Sequence, residues 1–115
     1  MLHMNNKKTK SYKKIEKDKE GYLKNAADWN INLAKEIAKK EKITLKNDHW
    51  KIIKFIRIFY FKFNTTPSMR MLIKSIENII GKEKSNSIYL FQLFPKGPAQ
   101  QASKIAGIPK PSQCL

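Results

Sequence analysis

The fold is decided by residues 47–63, which read NDHWKIIKFIRIFYFKF. Large apolar side chains recur here at steps of three and four residues, the spacing of one face of an α-helix. They are Trp50, Ile53, Ile56, Tyr60 and Phe63. We expect Asn47 to cap this helix, and Asn64 with Thr65 to end it. Lysine and arginine interrupt the apolar run, and their long stems can lie along an apolar surface while the charges reach water. The stretch therefore predicts a half-buried helix rather than a membrane-spanning one.

Four further helices are predicted around this one. Each begins at a capping residue or a proline, and each ends at a charged run, a glycine or a proline. They cover residues 30–42, 66–81, 85–95 and 98–107. The opening residues are Asn30, Thr66 with Pro67, Ser85 to Ser87, and Pro98. We expect Phe91 and Phe94 to join Trp50, Tyr60 and Phe63 in an aromatic stripe within the core. The chain is thus predicted to be mostly α, with about five helices.

The N-terminal end carries little apolar sequence. Residues 1–10 are basic and show no periodicity, which predicts a disordered extension. A short β-hairpin is expected next, with its turn near Ser11 and Tyr12 and its second strand at residues 13–16. This hairpin would make the fold class α+β, although mostly α.

The C-terminal end is rich in proline. Pro109 and Pro111 prevent a helix from continuing and favour an extended chain. We therefore expect residues 108–115 to form a mobile arm, and residues 11–107 to form one helical domain. This division fits a chain of 115 residues, which is the size of a single domain.

The formal net charge of +15 favours nucleic-acid binding, because clustered cations release counterions from phosphates. Only two of the 24 basic residues are arginine, however, and the chain is also rich in isoleucine and asparagine. A coding bias toward A- and T-rich codons explains the charge equally well. A nucleic-acid-binding module therefore stays open as an alternative function, and a salt-dependent attraction to tRNA follows from either origin of the charge.

Two features indicate the cellular compartment. The start has no apolar stretch of signal-peptide length, and no run approaches the roughly 20 apolar residues that cross a bilayer. A single cysteine cannot form an internal disulfide, which points to a reducing environment. We expect a cytoplasmic protein with no membrane partner.

Cys114, the penultimate residue, is the only candidate reactive group. No dinucleotide motif, P-loop or nucleophile elbow occurs, and His3 and His49 lack metal-site spacing, so we expect no cofactor and no metal. Seven extended steps from Gly107 could carry the sulfur about 20 Å from the domain. A lone terminal cysteine is nevertheless often incidental, and composition alone leaves that alternative open.

Four stretches resemble one known family. They are LFPKGPAQQASKIAGIPKP at residues 93–111 with Cys114 after it, EGYL at 20–23, His49-Trp50 leading into 55–60, and NTTPSMRML at 64–72. Together they resemble the TusE branch of the TusE/DsrC family of sulfur-relay proteins. The resemblance covers residues 15–115, nearly the whole chain.

The resemblance implies an orthogonal helical bundle with an N-terminal hairpin and a mobile arm, in which Cys114 accepts a persulfide sulfur. It implies a TusBCD-type complex as the donor and, as the acceptor, an MnmA-type thiouridylase that makes 2-thiouridine at the tRNA wobble position. DsrC-type members carry a second cysteine, and the matching position here is Ser103. This chain is therefore not expected to run a disulfide or trisulfide cycle, which needs two cysteines.

A basic surface for partners is also implied. It maps onto Arg70, Lys96 and Lys104, and Lys110 in the arm is a fourth candidate partner-binding residue. Their alternative interpretation is ordinary solvated charge. A third possible role for the whole chain is that of a non-catalytic assembly subunit.

Overall fold

The computed structural model of this chain describes residues 12–110. Six α-helices make up most of this range: α1 (Ile31–Lys40), α2 (Asn47–Phe63), α3 (Met69–Ser75), α4 (Glu77–Ile80), α5 (Ser87–Leu93) and α6 (Pro98–Ile105). Single 3₁₀ turns occur at Tyr12–Lys14, Ala26–Asp28 and Lys82–Lys84. Helices α3 and α4 meet at Ile76, and together they occupy the range that was predicted as one helix. The prediction of a mostly helical chain is confirmed. Among the described helices, none is long and apolar enough to cross a bilayer.

Helix α2 is central to the packing and contacts α6 most extensively. Its Ile53 and Ile56 are buried, as their spacing on one helical face predicts. Ile52, which was not part of the predicted face, is buried as well. Burying one such side chain contributes about 1.5–3 kcal/mol relative to leaving it exposed. The buried partners from other elements include Leu33, Ala34, Ile37, Leu72, Ile76, Leu90, Ala102 and Ile105. One apolar core therefore joins the helices.

The predicted aromatic stripe lies mostly at the edge of this core. Only Phe94 among its members is fully buried. The others are half-buried or exposed: Trp50, Tyr60, Phe63 and Phe91. No residue of α2 after Ile56 is buried, and the Phe63 side chain is 55% exposed. The prediction was wrong for Phe63 and Phe91, which are exposed, whereas Trp50 and Tyr60 are partly buried and pack against the core. Phe63 is exposed because helical periodicity identifies a face but not where along the helix its packing partners end.

Side chains cap α1 and α5 as predicted. Asn30 and Asn86 cap α1 and α5, and their side-chain oxygens accept hydrogen bonds from first-turn backbone N–H groups at 2.9 and 2.8 Å. The predicted cap of α2 was wrong, because Asn47 is the first helical residue and Lys46 is the N-cap residue, whose backbone N–H bonds to His49.

Helix α3 begins later than predicted, because Ser68 rather than Thr66 is its N-cap residue. The Ser68 Oγ accepts a hydrogen bond from the Met71 backbone N–H at 3.2 Å, so Thr66 and Pro67 precede the helix.

His49 links the start of α2 to the end of α5. Its Nδ1 accepts a hydrogen bond from the Lys46 backbone N–H at 3.0 Å, and its Nε2 lies 2.8 Å from the Leu93 carbonyl oxygen. These partners require a neutral ring with the proton on Nε2. Burial lowers the pKa of His49 below its ordinary value, despite the hydrogen bond to Leu93. The ring is buried, and its two hydrogen bonds serve the start of α2 and the end of α5.

The predicted N-terminal β-hairpin is wrong for the described residues. Its expected second strand, residues 13–16, overlaps the 3₁₀ turn Tyr12–Lys14. Within the range that the structure describes there is no strand, only an isolated antiparallel bridge between Lys17 and Leu23. Residues 1–11, which contain the predicted disordered extension and part of the hairpin turn, lie outside that range.

The Asp18 side chain forms the turn that closes this bridge. Its Oδ1 accepts hydrogen bonds from the backbone N–H groups of Glu20 and Tyr22, at 2.9 and 3.0 Å. An aspartate turn of this kind reverses the chain within a few residues. Tyr22 and Leu23 therefore return to the core, beside the residues that precede the turn.

Candidate functional site at the base of the C-terminal arm

Cys114 lies outside the described residues, so the described part of the site is the base from which the arm extends. Helix α6 ends there in a Schellman motif. The Gly107 N–H donates to the Lys104 carbonyl at 3.1 Å, and the Ile108 N–H donates to the Ser103 carbonyl at 3.0 Å. Gly107 has a φ of +70°, which glycine adopts without strain. The prediction that Gly107 ends the last helix is confirmed, and these bonds set the direction in which the chain leaves it.

Two side chains hold the last carbonyl groups of α6. The Trp29 Nε1–H donates to the Ile105 carbonyl at 2.8 Å, and Arg57 donates to the Ala106 carbonyl, also at 2.8 Å. The guanidinium of Arg57 lies 4.2 Å from the centre of the Trp29 ring. The indole also covers Gly107 so closely that a Cβ atom there would lie 2.3 Å from it. Trp29 and Arg57 therefore brace the base of the arm.

This bracing role was missed from sequence. The pattern of α2 makes Arg57 a surface cation with its charge in water, whereas the side chain is half-buried and also donates to the Ala26 carbonyl at 3.3 Å. Burial lowers the pKa of Arg57, but a guanidinium still stays charged in a protein. A planar guanidinium can bond two carbonyls and stack on a ring, which a lysine ammonium does poorly. The sequence did offer one signal for this role, because Arg57 is one of only two arginines among the 24 basic residues.

The first residues of the predicted arm are held against the domain. Ile108 is fully buried and packs in the core, and Pro109 is half-buried. The Lys110 ammonium lies 2.5 Å from a Glu20 carboxylate oxygen. Four extended steps from Lys110 to Cys114 give a reach of about 13 Å, less than the about 20 Å counted from Gly107. The mobility of the following residues stays a prediction.

The candidate partner-binding cations have different environments. Arg70 and Lys96 are exposed, whereas Lys104 is 19% exposed and pairs with Glu41 at 3.2 Å. Gln101 also donates to Glu41, at 2.9 Å. Burial alone raises the pKa of Glu41, but these hydrogen bonds and the charges of Lys104 and Lys96 outweigh it and hold the pKa below its ordinary value. Lys104 is therefore part of an internal ion pair, and the binding role of all four cations stays a prediction.

Comparison with known proteins assigns the fold to a family. A family model described as DsrC like protein matches residues 9–115. The chain belongs to the DsrC-like family. The family identified from the C-terminal residues is thereby confirmed.

Two relatives of this DsrC-like chain carry the name Sulfurtransferase TusE. One, from Buchnera aphidicola subsp. Schizaphis graminum, is 78% identical over 111 residues, which are 96% of this chain and 97% of that protein. The other, from Escherichia coli K12, is 54% identical over 103 residues, which are 90% of this chain and 94% of that protein. The similarity therefore extends over nearly the full length of each.

Solved structures of DsrC proteins share the fold. The NMR structure of Allochromatium vinosum DsrC has a TM-score of 0.80 at 44% identity, covering 88% of this chain and 90% of that one. The crystal structure of the oxidized gamma-subunit of dissimilatory sulfite reductase from Archaeoglobus fulgidus also has a TM-score of 0.80, at 35% identity, with 88% and 92% covered. The described helices thus adopt a DsrC-like fold.

Ser103, the position that the resemblance pairs with the second cysteine of DsrC-type members, lies inside α6. Its side chain is fully buried, and its Oγ has no hydrogen-bond partner among the described residues. A buried hydroxyl without a partner costs about 1–3 kcal/mol.

Across residues 12–110, no group of three or more histidine, cysteine or acidic side chains is placed to hold a metal ion. The described part of the site therefore anchors the start of the arm through hydrogen bonds and burial.

Proposed function

We propose that this chain is a sulfurtransferase that carries sulfur as a persulfide on Cys114. In this proposal it receives the sulfur from a TusBCD-type complex and passes it to an MnmA-type thiouridylase for 2-thiolation of the tRNA wobble uridine. The observation that carries the proposal is a DsrC-like match that runs through residue 115, in a chain whose only cysteine is Cys114. The 78% identical relative is itself named a sulfurtransferase.

Two thiol exchanges account for the transfer. The Cys114 thiolate attacks the outer sulfur of a donor persulfide, and the bond between the two donor sulfurs breaks, so that the donor cysteine leaves as a thiolate. The new Cys114 persulfide is then attacked at its outer sulfur by an acceptor thiolate, and Cys114 is released. One sulfur moves in each step and no external oxidant or reductant is consumed. Because the attacking group must stay reduced, we place this chemistry in the cytoplasm.

The arm base supports this function because it fixes the start of the arm to the domain and leaves the end of the arm to reach the partner. Trp29 and Arg57 hold the α6 carbonyls, and Ile108 anchors the chain in the core. Only the last few residues then need to be ordered when the thiol enters a partner, which lowers the entropy cost of docking. Activation of the thiol would come from the partner, because a thiol outside an electropositive pocket has a pKa near 8.5.

Intact-mass spectrometry tests the sulfur transfer. The chain is incubated with a cysteine desulfurase and its downstream sulfur carriers, and we expect a mass gain of one sulfur atom on Cys114. Cys114→Ser is the control, and it should show no gain. Failure of the wild-type chain to take up sulfur from a donor shown to be loaded would contradict the proposal.

A basic nucleic-acid-binding module is the competing function, favoured by the net charge of +15. Its affinity for tRNA would fall steeply with salt and would not need the cysteine. Wobble 2-thiouridine measured in cells that carry only Cys114→Ser separates the two functions. We expect the modification to be lost, whereas normal levels would favour the nucleic-acid module.

A further inference from the structure

A groove of about 950 Å³ runs along α2 beside the arm base. Its apolar walls include Trp29, Ile31, Trp50, Ile58 and Phe61. Three of these side chains are more than half exposed, namely Ile31 at 56%, Ile58 at 57% and Phe61 at 61%. Single exposed apolar residues are normal, but a contiguous apolar surface of this kind marks an interaction site. The groove therefore has the character of an unfilled docking surface.

The charges around the groove specify its occupant. Lys54 and Lys62 are exposed and line it, and the Arg57 guanidinium forms part of its wall. None of its lining residues in the described range is acidic. Carboxylates on an occupant would therefore meet cations of opposite sign.

Stacked bases need exposed aromatic rings, but Trp29 and Trp50 are half-buried and the Arg57 guanidinium lies over the Trp29 ring. Among the lining residues only the Phe61 ring is exposed, beside the aliphatic Ile31 and Ile58, which favours an apolar protein segment over a nucleic acid.

The groove is continuous with the base of the arm. Trp29 lines the groove, and it also donates to the Ile105 carbonyl and covers Gly107. Arg57 lines it and holds the Ala106 carbonyl. A protein bound in the groove would touch the residues from which the arm departs. With a reach of about 13 Å beyond Lys110, the thiol would then lie within range of a site on that same protein.

We propose that this groove docks the protein that exchanges sulfur with Cys114, through a segment of apolar side chains flanked by carboxylates. The inference rests on the proposed function and adds to it the surface that recognises the partner. Docking at the groove fixes the partner beside the arm and raises the local concentration of its sulfur site around Cys114. Recognition and chemistry thereby occupy different parts of the molecule.

Both tryptophans of the chain line the groove, which provides a specific probe. The full chain is labelled with 5-fluorotryptophan and titrated with an unlabelled TusBCD-type complex or MnmA-type thiouridylase, and ¹⁹F resonances are followed. We expect a saturable shift of the Trp29 and Trp50 resonances with a protein that exchanges sulfur with Cys114. Binding should weaken with salt, because charge pairs contribute to it.

Two matched pairs of variants test whether the shift of the tryptophan resonances reports docking in the groove. Phe61→Glu places a carboxylate in the groove, whereas Phe63→Glu makes the same change two residues away, at a side chain of similar exposure that does not line it. We expect Phe61→Glu to raise the KM for sulfur transfer about tenfold or more and Phe63→Glu about twofold or less, both with kcat retained. Lys54→Gln should likewise reduce affinity and its salt dependence more than Lys51→Gln, which lies outside the lining.

The outcomes separate this inference from the proposed function. If the wild-type chain takes up sulfur but Phe61→Glu and Phe63→Glu have equal KM values, the docking inference is overturned and the sulfur relay stands. If tRNA alone, or the free chain at rising concentration, shifts the same resonances while the partner proteins do not, the occupant is a nucleic acid or a second copy and the inference is again wrong. If the wild-type chain takes up no sulfur from a loaded donor, the proposed function fails and the inference fails with it.

Discussion

Replacing Gly107 by alanine should destabilise the fold at the arm base. A φ of +70° costs a residue with a Cβ atom about 1–3 kcal/mol. The new Cβ would also lie 2.3, 2.6 and 2.7 Å from three atoms of the Trp29 side chain, so the indole or the backbone must move. Overpacking of this kind costs typically about 1–3 kcal/mol more. We expect a total loss of about 2–6 kcal/mol in the free energy of unfolding.

Urea unfolding followed by circular dichroism measures this loss, and Gly81→Ala is a control for backbone strain without a steric contact, at a φ of 95° and a ψ of 154°. A Cβ atom at Gly81 would have nothing within 4 Å. The control should lose only the backbone part, about 1–3 kcal/mol. Sulfur transfer to the folded Gly107→Ala protein should also slow, because displacement of Trp29 releases the Ile105 carbonyl and changes the direction of the arm. A loss of only about 1–3 kcal/mol in Gly107→Ala, the backbone part alone, with Trp29 fluorescence unchanged from wild type would refute the contact with Trp29 as a cause.

Three further predictions concern buried side chains. Ile108→Ala should cost about 2–5 kcal/mol in urea unfolding, since Ile108 is fully buried, whereas an unchanged midpoint would mean that the arm begins before it. The lowered folded-state pKa of His49 means that the unfolded chain binds a proton more tightly, so stability should fall as pH drops below about 6.5. Comparing urea midpoints at about pH 7.5 and about pH 5.5 tests this, and an equal pH effect in His49→Gln would exclude His49 as its source. Ser103→Ala should be neutral or stabilising, because it removes a buried hydroxyl that has no partner among the described residues, and a loss above about 1 kcal/mol would reveal a missed hydrogen bond.

Much of the local structure could be predicted from sequence, because its causes lie within one or two turns of the chain. The isoleucine spacing in residues 47–63 predicts α2 and its buried face. Asn30, Asn86 and Gly107 cap or end their helices through bonds to residues a few positions away. The identity of Cys114 as the only thiol is likewise a property of sequence alone, and the resemblance that surrounds it indicated the family.

The contacts at the arm base join residues that are distant in sequence. Trp29 and Arg57 reach the end of α6 from positions 76 and 49 residues away from the carbonyls that they bond. No periodicity or cap rule relates such positions, since the contact exists only after α2 has packed against α6. The same packing buries Ile108, which the prolines after it had indicated as arm. It also leaves Phe63 exposed, although the apolar pattern of α2 predicts its burial, because no residue of this helix after Ile56 is buried against a neighbouring element. Phe61 is exposed as well, as part of the groove lining.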